Sequence, residues 1–259
     1  MSTVQGSWRG NNIIKDGLVL YLDAGSPNSY SFPYGFDANL WKDISGNSHN
    51  GTFTNSPVFS STNGGSISFD GVSSYIDNIG SVSTFDFIFS QGSFSIGFWL
   101  KINSLNTRYV IMGNTVTNSD KGFIIFVEYG IPGYGNNCLR FAASGNLINT
   151  RLIAGSTDDN VTNTAWTHYF YTCQNPDKVG QWYINGSSVN TATKVGTGNA
   201  NQGSYYSGPA TRSLNIGRAN WTNTLIPLNG NIAHTMIYNR SLSASEVLTN
   251  YNETKSRFN

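Results

Sequence analysis

The sequence predicts an all-β fold, a sandwich of two antiparallel sheets with one short C-terminal helix. Three observations carry this. Apolar and polar residues alternate in one segment after another, turn-forming residues recur every eight to twelve positions or so, and helical spacing is confined to a stretch near the C-terminus. In "SFSIGFWLKI" (93–102), Phe94, Ile96, Phe98, Leu100 and Ile102 share one face, with Ser95 and Lys101 on the other. That is the period of a half-buried strand.

The remaining elements follow the same logic. "GSISFDG" (65–71) repeats the alternation with Ile67 and Phe69, and "SYI" resumes it after a short break. "RYVIMG" (108–113), "FIIFVEY" (123–129), "LRFAA" (139–143) and "THYFYTC" (167–173) read as further strands. "QWYINGSSVN" (181–190) is a hairpin with Asn185-Gly186 at its tip, since both residues tolerate positive φ. "SLNIGR" (213–218) and "NIAHTMIYN" (231–239) complete the set. In "LSASEVLTNYNETK", Ser243 and Glu246 stand at capping-box spacing, and Val247, Leu248 and Tyr251 then fall on one helical face. No linker divides the chain. Residues 1–15 are polar and aperiodic and are expected to form an arm, leaving 16–259 as one domain.

Composition excludes several functions. Charged residues are 11% of the chain and the net charge is +1, so there is no electrostatic footprint for nucleic acid or an anionic membrane. The 14% aromatic content argues against disorder. The longest apolar runs, "GLVLYL" (17–22) and "FIIFV" (123–127), are too short to span a bilayer. The first residues hold no apolar signal region, so no secretion signal is expected. Cys138 and Cys173 could pair, but two buried free thiols are the preferred expectation.

"WKDISGNSHNGTFT" (41–54) sets oxygen-bearing side chains at Asp43, Ser45 and Asn47, the opening spacing of an EF-hand loop. That loop also needs Gly at its sixth place and Glu at its twelfth, where this chain has Ser48 and Thr54. A turn centred on Asn50-Gly51 is the preferred reading. A structural calcium ion held through Asp43 and Asn47 is the alternative, and no other cofactor is expected.

The order of segments resembles a known family. "DGLVLYLDA", "W-x-D-x-S-G-N", "GGSISFDGVSSYI", "SFSIGFWLKI", Trp166, "WYINGSSV", "LNIG" and "GNIAHTMIYNRSLSASEV" follow the laminin-G-like, concanavalin A-like jelly-roll family from about residue 16 to 252. The resemblance implies a two-sheet antiparallel jelly roll whose first and last strands pair, with the terminal turn and helix closing one edge. It implies no activity, because the fold serves lectins, adhesins and structural proteins alike. Versions opening with "GLVLYLDAGxPxSY" are similar to bacteriophage virion proteins. Family members often carry Asp where this chain has Ala233, which removes one cation ligand; Asp70 of "FDG" is retained, as a turn cap or a third metal ligand.

Catalysis is not expected. Glycosidases need two facing carboxylates, and the E-x-D-x-E strand of enzymes with this fold is absent here. Glu occurs only at 128, 246 and 253, and Glu128 and Asp120 read as solvated strand-end charges. His168 and His234 sit in strands, where a hydrogen-bonded histidine is the ordinary case. Binding is better served. The Gly-rich, aromatic segments around 127–137 and 199–210 make Tyr134, Tyr205, Tyr206 and Trp221 candidates for stacking on sugars or on neighbouring subunits.

Two functions follow as expectations. The first is a non-catalytic structural module of a virus particle, a phage head decoration or tail component made in the host cytoplasm. Its partners would be other virion proteins or copies of itself, and Trp8, Arg9, Ile13 and Ile14 of the arm would dock it. The alternative is a lectin-like adhesin module recognising cell-surface polysaccharide.

Overall fold

The structure, a computed structural model, describes residues 12–30, 39–89, 92–115, 121–129, 138–144, 152–157, 161, 165–174, 179–189, 191–192, 210–219 and 227–258. In chain order the first strands are Leu18–Asp23 (β1), Leu40–Trp41 (β2), Gly51–Thr54 (β3), Val58–Ser60 (β4), Ser66–Asp70 (β5) and Tyr75–Ile79 (β6). Phe94–Ile102 (β7), Tyr109–Gly113 (β8), Gly122–Glu128 (β9), Cys138–Ser144 (β10), Leu152–Thr157 (β11) and Thr167–Gln174 (β12) follow. Val179–Ile184 (β13), Ser187–Ser188 (β14), Thr191–Ala192 (β15), Leu214–Ile216 (β16) and Asn229–Tyr238 (β17) precede the helix Ala244–Thr254 (α1).

Two antiparallel sheets result. One runs β14-β13-β12-β7-β17-β5-β4, with β1 also on β17; the other runs β15-β11-β10-β9-β8-β16-β6-β3-β2. The first and last strands pair as expected, with Tyr21 opposite Met236 and Asp23 opposite His234. Phe94, Ile96, Phe98, Leu100 and Ile102 all point inward and are at most 2% exposed. They share one core with Phe123, Ile125, Val127, Leu139 and Phe141 of the facing sheet. Each such side chain contributes roughly 2 kcal/mol on leaving water. Cys138 and Cys173 are buried thiols.

Strand β7 is buried on both faces, not one: Ser95 and Trp99 on its far side are 0% and 2% exposed. The reason is the C-terminal segment: Ser95 Oγ donates to Arg240 O and accepts from Leu242 N–H in the turn before α1, and α1 itself lies across the outer face of the first sheet. Trp99 Nε1 donates to Thr254 Oγ1 (2.9 Å), and the Trp99 ring stacks on Tyr251 and Phe258. The expected capping box is present: Glu246 N–H donates to Ser243 Oγ, and Ser243 N–H donates to Glu246 Oε2. The expected apolar face is rotated, however. Val247, Asn250 and Thr254 are buried while Leu248 is 44% exposed. The face beneath α1 carries hydroxyls and an indole N–H, so polar side chains have partners there. Asn250 accepts from Ile14 N–H (2.9 Å) and donates to Tyr238 Oη (3.0 Å).

Two hairpins qualify the turn readings. Asn185 and Gly186 take φ of 51° and 78°, the two-residue tip that Asn-Gly favours. Between β2 and β3 the positive φ values fall instead on Gly46 and Ser48, at 101° and 62°. Gly51 already belongs to β3, opposite Trp41. Glycine is needed there for packing, because a Cβ would collide with Ile76 Cγ2.

Candidate functional site

The Asp43 loop completes a sheet edge. Asp43 Oδ1 accepts N–H bonds from Tyr21 and Ser45, and Oδ2 accepts from His49 N–H and Ser45 Oγ, all at 2.9 Å. Ile44 N–H donates to Tyr21 O, while Ser45 Oγ and Asn47 Nδ2 donate to Val19 O. The loop thus imitates a neighbouring strand and covers the free edge of β1. Both carboxylate oxygens are engaged by N–H and hydroxyl donors, and Asn47 presents its amide nitrogen to β1. Asp70 is engaged likewise in its own turn. Oδ1 accepts N–H bonds from Val72, Ser73 and Ser74 and the Ser74 hydroxyl. Partial desolvation pushes its carboxyl up, but the bonds from Ser74, Ser73 and Val72 outweigh it and hold it far below the usual range. Among the described residues no three His, Cys, Asp or Glu side chains gather as a metal would require.

The outer face of the second sheet is different. Glu128 was expected at a solvated strand end; it is 0% exposed and held by two arginines. Arg108 engages it side-on through Nε and Nη2, and Arg140 Nη1 lies 3.2 Å from Oε2. The register explains the meeting, since β8, β9 and β10 bring residues 108, 128 and 140 to one end of the sheet. Burying a carboxylate is costly unless it is paired in this way. Next along that end, the Arg108 guanidinium sits 5.9 Å from the Phe126 ring centre, and that of Arg218 sits 5.2 Å from Tyr75. Val110, Ile124, Phe126 and Ala219 are covered on the same face, but Tyr75 and Arg218 are half-buried and Tyr129 is 38% exposed. The sheet end therefore offers aromatic surface beside guanidinium donors.

Under α1 lies a second unusual cluster. His168 and His234 are wholly buried, and neither ring nitrogen of either has a hydrogen-bond partner among the described residues. That departs from the expected hydrogen-bonded strand histidine. Both are held well below their ordinary pKa, His168 by burial and then by His234, His234 by burial and then by Arg257. Both face aromatic rings, so these neutral imidazoles act as packing groups.

Of the residues singled out from sequence, Tyr134, Tyr205, Tyr206, Trp221, Trp8, Arg9 and Asp120 lie outside the described residues. Ile13 is a correction: it is 3% exposed, packed with Tyr21, Met236 and Val247, and Ile14 packs beside it. The Ile13 side chain is committed to the sandwich, whereas Ile14 is only partly buried. Arg108, Arg218 and Tyr75 were missed, because each pairs with a residue far away in sequence and only the register joins them.

The family model described as the concanavalin A-like lectin/glucanases superfamily matches residues 70–248. No curated protein sequence matches the chain. Among solved structures, domain 4 of AbnA, an extracellular arabinanase from Geobacillus stearothermophilus in complex with arabinotriose, is similar. It has a TM-score of 0.61 at 21% identity, covering 90% of this chain and 98% of that domain. A botulinum neurotoxin type C structure, described by that toxin's interaction with two ganglioside molecules, has a TM-score of 0.59 at 16% identity, covering 93% and 52%. The binding domain of Paraclostridial Mosquitocidal Protein 1 has 0.57 at 18%, covering 92% and 52%. The chain thus spans about half of each toxin chain.

Proposed function

The chain belongs to the concanavalin A-like lectin/glucanases superfamily, and from that premise we propose that it is a non-catalytic carbohydrate-binding module. Its sugar site is the Arg108 end of the second sheet's outer face. The observation that carries this is the pairing of half-buried Tyr75 with Arg218, on the same sheet end as Arg108 and the exposed Tyr129. Sugars are held by aromatic faces and by planar hydrogen-bonding groups, which is what the row supplies. The similar arabinanase domain, whose structure is in complex with arabinotriose, supports the reading. The non-catalytic part is supported by Glu128. A general acid must be free to exchange its proton, and this carboxylate is buried between Arg108 and Arg140. The comparisons favour carbohydrate recognition over the virion role expected from sequence, for which no observation here speaks.

A glycan array tests the proposal. Binding to at least one saccharide class is expected, weakened several-fold by Tyr75→Ala at unchanged melting temperature. Silence at millimolar sugar, or hydrolysis of a bound oligosaccharide, would refute it.

A further inference from the structure

We infer that the saccharide this face prefers is anionic, bearing a carboxylate or a sulfate, and that Arg218 and Arg108 grip it through their guanidinium edges. The inference rests on the carbohydrate-binding reading and narrows its ligand class.

Arg218 carries most of the argument. It is half-buried, and among the described residues it makes no ion pair; its one contact of note is the Tyr75 ring, 5.2 Å from the guanidinium carbon. A guanidinium resting on a ring has already lost part of its freedom while keeping its N–H donors for a ligand. Asp77 lies on the same face of β6, but it makes no ion pair with Arg218 among the described residues, and its Oδ1 accepts the N–H of Asn78. Arg108, just before β8, spends Nε and Nη2 on Glu128; among the described residues its Nη1 has no partner, and its side chain is 26% exposed. Arg140 is too deeply buried to reach a ligand and serves to hold Glu128 in place. On this face Arg108, Arg140 and Arg218 stand against the carboxylates of Glu128 and Asp77, which leaves a net positive charge for a ligand to meet. Guanidinium has donors and no acceptor. A planar anion that takes two parallel N–H bonds therefore suits it better than a sugar hydroxyl, and such charge-assisted bonds are roughly twice as strong as neutral ones.

The test is calorimetric titration of the full chain with polygalacturonate, heparin and neutral dextran, in low salt and at 0.5 M NaCl. These supply a carboxylate, a sulfate and no charge. Binding to one or both acidic polymers is expected, and Arg218→Gln should weaken it about ten- to hundredfold, the loss of one or two bonds to a charged group. Arg218→Lys should lose most of that affinity as well, because a point charge cannot form the paired bond. Arg108→Lys serves as the second variant, with the melting temperature of each confirming a folded chain. Acidic-polymer binding that Arg218→Lys leaves intact would reduce the effect to non-specific charge attraction and overturn the inference. Binding to dextran or other neutral sugars alone would also overturn it while leaving the carbohydrate-binding reading standing. No binding to any polymer would overturn both.

Discussion

The imidazole centres of His168 and His234 lie 6.1 Å apart, sealed between the outer face of the first sheet and helix α1. Tyr21 and Asp23 face this pair from β1, Tyr251 from α1, and Arg257 from the turn that follows it. Burial keeps both rings neutral in the folded chain at a pH where the unfolded chain has taken up protons.

A loss of stability on mild acidification follows. Because the folded pKa values lie below the unfolded value of about 6.5, the unfolded state binds more protons below that pH. Stability is complete above about pH 6.5 and falls by about 1.4 kcal/mol per pH unit for each histidine below it, until the folded values are reached. Urea midpoints at pH 7.5 and 5.0 should show the drop, and His168→Leu with His234→Leu should flatten it. Glu246 cannot account for the same window. The Arg240 side chain, outweighing desolvation and aided by Ser243, holds its carboxyl down at about 2. A flat profile in the parent protein would show that the pair stays hydrated.

Asn250 joins the two ends of the chain. Its amide is 0% exposed and bonds both Ile14 N–H and Tyr238 Oη, while Tyr238 Oη donates to Ile14 O. Asn250→Leu strands the partly buried Ile14 N–H and should cost about 1–3 kcal/mol in denaturant titration. Amide exchange at Ile14 should accelerate with it.

Asp43 is expected to matter without metal. Asp43→Ala leaves Tyr21 N–H and His49 N–H without their acceptor and should destabilise the fold by about 1–3 kcal/mol. EDTA should leave the melting temperature of the parent protein unchanged, and a drop restored by calcium would mean that a bound ion contributes.

Arg257 clamps the C-terminus. Nη1 lies 2.7 Å from Asp23 Oδ1, and Nη2 donates to Gly65 O at 2.6 Å. Asp23 is 2% exposed, so Arg257→Ala leaves a buried carboxylate short of its cation and should cost about 3 kcal/mol. Arg257→Lys should recover part of this, since it restores the charge and not the fork.

What the sequence determined by itself was whatever depends on neighbours along the chain. Alternation in 93–102 named the core face of β7, Ser243 and Glu246 named the helix start, and Asn185-Gly186 named a hairpin tip. These are contacts between residues a few positions apart, where backbone periodicity and local hydrogen bonding decide the outcome. The short strands Gly51–Thr54, Leu152–Thr157 and Thr191–Ala192 escaped notice because pairing, more than composition, makes them strands. Tertiary structure alone decided the rest. It turned the Asp43 loop into an edge cover, withdrew Glu128 from solvent, spent Ile13 inside the sandwich and set Arg218 on Tyr75. Each of these depends on which strands lie side by side and in what register. Register is set by the summed burial of both sheets, a property that no single stretch of sequence contains.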